Sequence, residues 1–162
     1  DDKAVATLFY TYYKRSDVKD NTNRPIFFSF NGGPGAASIW MHMGYTSPRV
    51  LNIDDEGYPI QPYGTKENPY SIIDVADIVY VNPVNVGLSR ILDKEYDRSN
   101  FFGVNSDIKY LAQWIEDFIN KYNLLFRITL FIIYFFFSIS KDIRISFATI
   151  LKKDLLHIFH IL

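Results

Sequence analysis

The stretch Phe27–Ser38, FFSFNGGPGAAS, constrains this chain more than any other passage. An apolar run starting just after Pro25 passes directly into three glycines and a proline within five residues, Asn31–Gly35. The remaining sequence holds only five more of the eight glycines, so conformational freedom is concentrated at this turn. Four backbone designs could need it. A β-hairpin turn would use Asn-Gly but requires an alternating strand immediately afterwards, and PGAASIWMHM does not alternate. A dinucleotide loop would use Gly33, Gly35 and Ser38, with Asp54 or Asp55 downstream for a ribose. That reading loses ground because Pro34 has no N–H and the third glycine is a serine. A P-loop needs Gly-Lys-Ser/Thr, which is missing. An oxyanion hole fits the strand, glycine-rich loop and helix order, because the backbone must turn sharply and present an N–H to a reacting carbonyl oxygen. One such donor lowers a barrier by about 2.7–4 kcal/mol.

The surrounding pattern is α/β. ATLFYTYYK (6–14) has the β-branched and aromatic content of a strand, and the polar RSDVKDNTNR (15–24) reads as a turn. PIFFSF (25–30) and DIVYV (77–81) read as buried strands, AASIWMHM (36–43) as a short helix stopped by Gly44 and Pro48, and 52–70 as loop. Ser106 is a candidate cap for a helix whose face carries Ile108, Leu111, Ala112, Ile115, Phe118, Ile119 and Tyr122. Strands alternating with helices predict a parallel or mixed sheet with helices on its faces.

A boundary is expected near Asn123. All eight glycines and seven prolines lie at or before Gly103, whereas Ile, Leu and Phe make up 23 of the 39 residues from Leu124 onward. Residues 1–123 read as one unit and 124–162 as an apolar tail with few turn residues. The tail is open to three readings: a core strand, a membrane segment, or sequence of doubtful origin such as read-through or a frameshift. Its uncharged run, Ile128–Ile139, is 12 residues, short of the ~20 that cross a bilayer. A membrane association is therefore not expected. The net charge of −1 offers no basic excess for nucleic acid. With no cysteine and three histidines, neither a cofactor nor a metal site is expected. The opening DDKAVATLFY has no basic, then apolar, leader pattern, so any signal peptide is expected to have been removed or to lie outside the sequence.

With these residues in place, a resemblance can be stated. FFSFNGGPGAAS resembles the N-G-G-P-G-x-x-S motif of the serine carboxypeptidases, α/β-hydrolases that remove C-terminal amino acids. DVADIVYVNPVNVGLSR (74–90) is similar to the family's strand followed by P-V-G-x-G-[FY]-S, and NPYSIIDVAD (68–77) to the segment leading into it. The likeness covers about residues 5–123. It implies the N-terminal part of an α/β-hydrolase fold, with an incomplete sheet whose edge is exposed to aggregation. It implies a backbone N–H from Gly33 for the oxyanion hole, and Asn31 with Gly32 as the clamp on the terminal carboxylate of a peptide substrate. A secreted, periplasmic, lysosomal or vacuolar setting would follow. Departures are Asn85 for the first glycine of P-V-G-x-G, Leu88 for the aromatic, and Ala36 where many members have cysteine.

The nucleophile is missing from this pattern. The family's G-E-S-Y-[AG]-G elbow needs glycines around a strained serine, and no glycine follows Gly103. VGLSR does not supply one, and Ser89 reads as a loop residue. Ser138 or Ser140, Asp142 or Asp154, and His157 or His160 occur in triad order, but each histidine is equally explained as a polar residue on an amphipathic tail helix. His42 reads as packing or surface. The expectation is a serine carboxypeptidase relative that is inactive by itself. The alternatives are a fragment of an acyltransferase of the same family, or a non-catalytic module that binds peptide C-termini.

Overall fold

The computed structural model describes residues 3–19, 24–31 and 35–124, together with the backbone of 129–133. Its centre is a four-stranded mixed sheet in the order β2-β6-β3-β8. Here β2 is Tyr10–Tyr13, β3 Ile26–Phe30, β6 Asp77–Val81 and β8 Thr129–Ile133. β2 runs antiparallel to β6, whereas β3 is parallel to both β6 and β8, with Phe28 opposite Val79 and Phe131. Every residue of β3 and β6 is buried, as expected of parallel strands covered on both faces, and this explains their unbroken apolar sequence.

One face carries helix α1, Val104–Lys121. Ile26, Phe28, Phe30, Val79 and Val81 meet Ile115 and Phe118 there, with Tyr10, Tyr12, Leu111 and Trp114 around them. Phe118 sets the contact, standing edge-on to Phe28 at 5.4 Å and to Tyr10 at 5.4 Å. The opposite face buries Phe27, Ile78, Tyr80, Ala76 and Met41. Beneath the sheet's lower end Arg24 Nε donates to the fully buried Asp77 carboxylate at 2.8 Å, and its guanidinium also reaches the carbonyls of Ile73, Asp74 and Ala76.

Several elements differ from their sequence reading. The single strand expected over 6–14 is two: β1, Ala6–Thr7, pairs with β7, Arg90–Ile91, before the chain crosses to β6 as β2. The switch falls at Phe9, whose N–H donates to the side chain of Ser89 instead of to a neighbouring strand. The short helix begins at Trp40 and runs through Gly44 to Thr46 with wide π-helical winding. Thr46 Oγ donates to the carbonyl of Met41, five residues back, which suits that wider turn. The expected loop over 52–70 contains β5, Thr65–Glu67, paired antiparallel with β4, Arg49–Leu51. Ser106 does not cap α1. The helix starts at Val104 after Gly103, whose φ of 128° is open to glycine and rare for other residues. Beyond the boundary expected at Asn123, β8 joins the sheet beside β3.

Candidate functional site

Because β3 and β6 are parallel, the residues that follow them emerge at the same edge of the sheet. Asn31 follows β3 and Asn82 follows β6. Open α/β sheets bind ligands outside the carboxyl ends of their strands, and the glycine turn leaves the sheet there.

Ser38 ties this edge together. It is buried, its Oγ accepts the Asn31 N–H at 3.2 Å, and the same hydroxyl donates to the Val81 carbonyl. Its own N–H donates to Asn82 Oδ1 at 2.9 Å. The far side of the glycine turn is thus fastened to the ends of both parallel strands. Asn31 is half-buried at the start of the turn.

A second loop, Pro83–Ser89, packs beneath. Gly87 has φ 56°, and a Cβ there would lie 2.5 Å from Asn82 Nδ2, so only glycine leaves room for the side chain that holds Ser38. Asn85 adopts φ 60°, the left-handed conformation that asparagine tolerates better than most residues. Asparagine therefore fits this backbone conformation, where the resemblance expects a glycine. Ser89 is fully buried; its Oγ accepts from Phe9 N–H at 2.9 Å and donates to the Asn82 carbonyl at 2.7 Å. Both hydroxyl functions are spent on backbone, consistent with the loop reading and unlike a free nucleophile. Tyr110 of α1 accepts the Val84 N–H at 3.2 Å and donates to Asp107 at 2.9 Å. Burial pushes the Tyr110 hydroxyl pKa up and likewise raises that of Asp107, against the opposing pull of the Tyr110 bond.

His42 is packed, as expected. Its Nε2 lies 2.8 Å from the Tyr13 hydroxyl and its ring stacks on Tyr80 at 4.5 Å. Burial lowers its pKa, and Tyr80, bonded to Thr46 at 2.7 Å, is held protonated by burial. This cluster supports the helical turn that follows the glycines without presenting a base to them.

Gly32 and Gly33 lie outside the described residues, as do Ser138, Ser140, Asp142, Asp154, His157 and His160. Among the described residues no group of three or more His, Asp or Glu side chains could hold a metal ion, and no helix is long and apolar enough to cross a membrane. The sequence reading missed the fastening roles of Ser38 and Asn82 and the position of Arg98 beside Gly35. The serine in N-G-G-P-G-x-x-S was the available signal for the first.

The described residues form an α/β fold, a mixed sheet with α1 across one face and the turn that begins at Asn31 leaving the carboxyl edge of its parallel pair. The crystal structure of Kex1(delta)p, a prohormone-processing carboxypeptidase from Saccharomyces cerevisiae, shares it with a TM-score of 0.61 at 21% identity. That match covers 80% of this chain and 26% of the other. The family model for serine carboxypeptidase matches residues 1–129, and the chain belongs to that family. Carboxypeptidase S1 homolog B of Arthroderma otae is 33% identical over 89 residues, 54% of this chain and 12% of that protein. The pheromone-processing carboxypeptidase KEX1 of S. cerevisiae is 23% identical over 126 residues, 77% of this chain and 16% of that protein. The matched stretch therefore spans less than a fifth of either curated relative.

Proposed function

We propose that this chain carries the carboxylate- and oxyanion-binding part of a serine carboxypeptidase site, and that by itself it binds peptide C-termini without cleaving them. In the complete reaction of the family a serine attacks the last peptide bond. Negative charge then develops on the carbonyl oxygen, the C-terminal amino acid leaves with a proton on its amine, and water hydrolyses the acyl-serine to release the shortened peptide. Gly33 N–H is the donor for that oxygen, and Asn31 with the Gly32 backbone holds the terminal carboxylate. The observation that carries this reading is the fastening of the turn through Ser38 to both parallel strands. An oxyanion donor acts through preorganisation, and Asn31 and Ser38, the described residues on either side of Gly32–Pro34, are both tied to the sheet.

Catalysis by the chain alone is opposed by its composition. A serine elbow needs glycine around the nucleophile, and no glycine follows Gly103. Residues 1–123 supply the cradle, and the apolar stretch beyond supplies β8 and no elbow motif.

The test is a titration of the chain with a short peptide in free-acid and C-terminally amidated forms. The free acid binds more tightly, and Asn31→Ala weakens it by about tenfold, the order expected for one charge-assisted hydrogen bond. Equal binding of the two forms would contradict the reading.

A further inference from the structure

Arg98 stands beside Gly35 and forms no ion pair among the described residues. A Cβ placed on Gly35, which has φ 89°, would sit 3.2 Å from Arg98 Nη2, so the guanidinium lies beside the exposed Gly35. Its cationic carbon is 4.1 Å from the centre of the Phe102 ring. Stacking of this kind holds a guanidinium by its face and leaves its N–H edge available. The backbone beneath is fixed as well. Asp97 and Asn100 form reciprocal capping bonds around the turn Arg98–Asn100, and the Arg98 carbonyl accepts from Phe101 at 3.2 Å and Phe102 at 3.0 Å.

The nearest acidic group along the chain is already engaged. Asp97 accepts from the Ser99 N–H at 2.7 Å and the Ser99 hydroxyl at 2.6 Å, and these bonds lower its pKa. Among the described residues the ion pairs join Lys3, Arg15 and Arg24 to aspartates, and none includes Arg98. An exposed arginine is usually free to move through solvent. This one is parked on an aromatic ring against the turn that the proposed function assigns to substrate.

We propose that Arg98 is a carboxylate-binding residue of this site, engaging either the terminal carboxylate of the peptide or an acidic side chain on its last residue. The inference rests on the proposed function and adds an anion preference to it. A planar guanidinium presents two parallel N–H donors that match the two oxygens of a carboxylate, which an ammonium does not. Phe102 supplies the ring, and Gly35, at φ 89°, lets the guanidinium approach the backbone closely.

The test uses the full 162-residue chain and four peptides of one sequence, ending in Asp or Asn, each as free acid and as amide. Wild type, Arg98→Ala and Arg98→Lys are titrated, with circular dichroism confirming equal folding. Arg98→Ala is expected to weaken carboxylate-bearing peptides about tenfold while leaving the Asn amide unchanged, with Arg98→Lys intermediate. If the loss follows free acid against amide, the terminal carboxylate is the partner; if it follows Asp against Asn, the side chain is. Wild-type binding that Arg98→Ala leaves intact overturns this inference alone, as does an equal loss for the Asn amide. Absence of wild-type binding to every peptide overturns the proposed function together with it.

Discussion

At the scale of single residues, Ser38 fastens the far end of the glycine turn to the sheet. One hydroxyl accepts from Asn31 and donates to Val81, joining the start of the turn to the neighbouring strand. Ser38→Ala removes the bond that its hydroxyl accepts from Asn31 N–H and the one it donates to the Val81 carbonyl, and losing a hydrogen-bond partner at a buried group costs ~1–3 kcal/mol. The expected outcome in a urea melt is a loss of about 2–3 kcal/mol, at the low end because water reaches the exposed side of Asn31. A neutral result would show that Ser38 does not fasten the turn. The motif itself was legible, since an apolar strand entering N-G-G-P-G has few physical uses. The bonds were not legible, because Ser38 and Asn82 are 44 positions apart and meet only when β3 and β6 pair.

Among elements, β3, β6 and α1 were readable because burial imposes continuous apolar strands and a 3.6-residue stripe. Trp114 escaped the stripe, yet it packs on Phe28 and Tyr10, since the sheet beneath is wide enough to take a second row of the helix. The β4–β5 pair was hidden by Gly57, Pro59, Pro62 and Gly64, turn residues that lie between two three-residue strands. The helical turn Trp40–Thr46 rests on His42, and that contact makes it sensitive to pH. Burial lowers the folded pKa of His42 below its ordinary 6.5, so on acidification the unfolded chain takes up this proton first. Stability then rises with pH wherever the unfolded state holds more protons. The His42 contribution is complete above 6.5 and declines as pH falls from there toward the folded pKa. Denaturant midpoints measured between about pH 7 and 5 should fall with pH, and His42→Gln should flatten the part that this residue causes. An unchanged slope in the variant would place the pH sensitivity elsewhere.

For the whole molecule, the family and its fold are expressed in a stretch that spans 12–16% of its curated relatives and 26% of a solved one. The proposed cradle side of the site runs from Asn31 through Ser38 to Asn82 and the Gly87 loop. An attacking group is not written in the motif that this chemistry uses, because the last glycine is Gly103. The most direct measurement is reaction of the chain with a serine-directed phosphonate, read by intact mass, alongside release of the last amino acid from a peptide. No added mass and no released amino acid are expected. Stoichiometric labelling that Ser138→Ala or Ser140→Ala abolishes, accompanied by peptide trimming, would contradict that expectation.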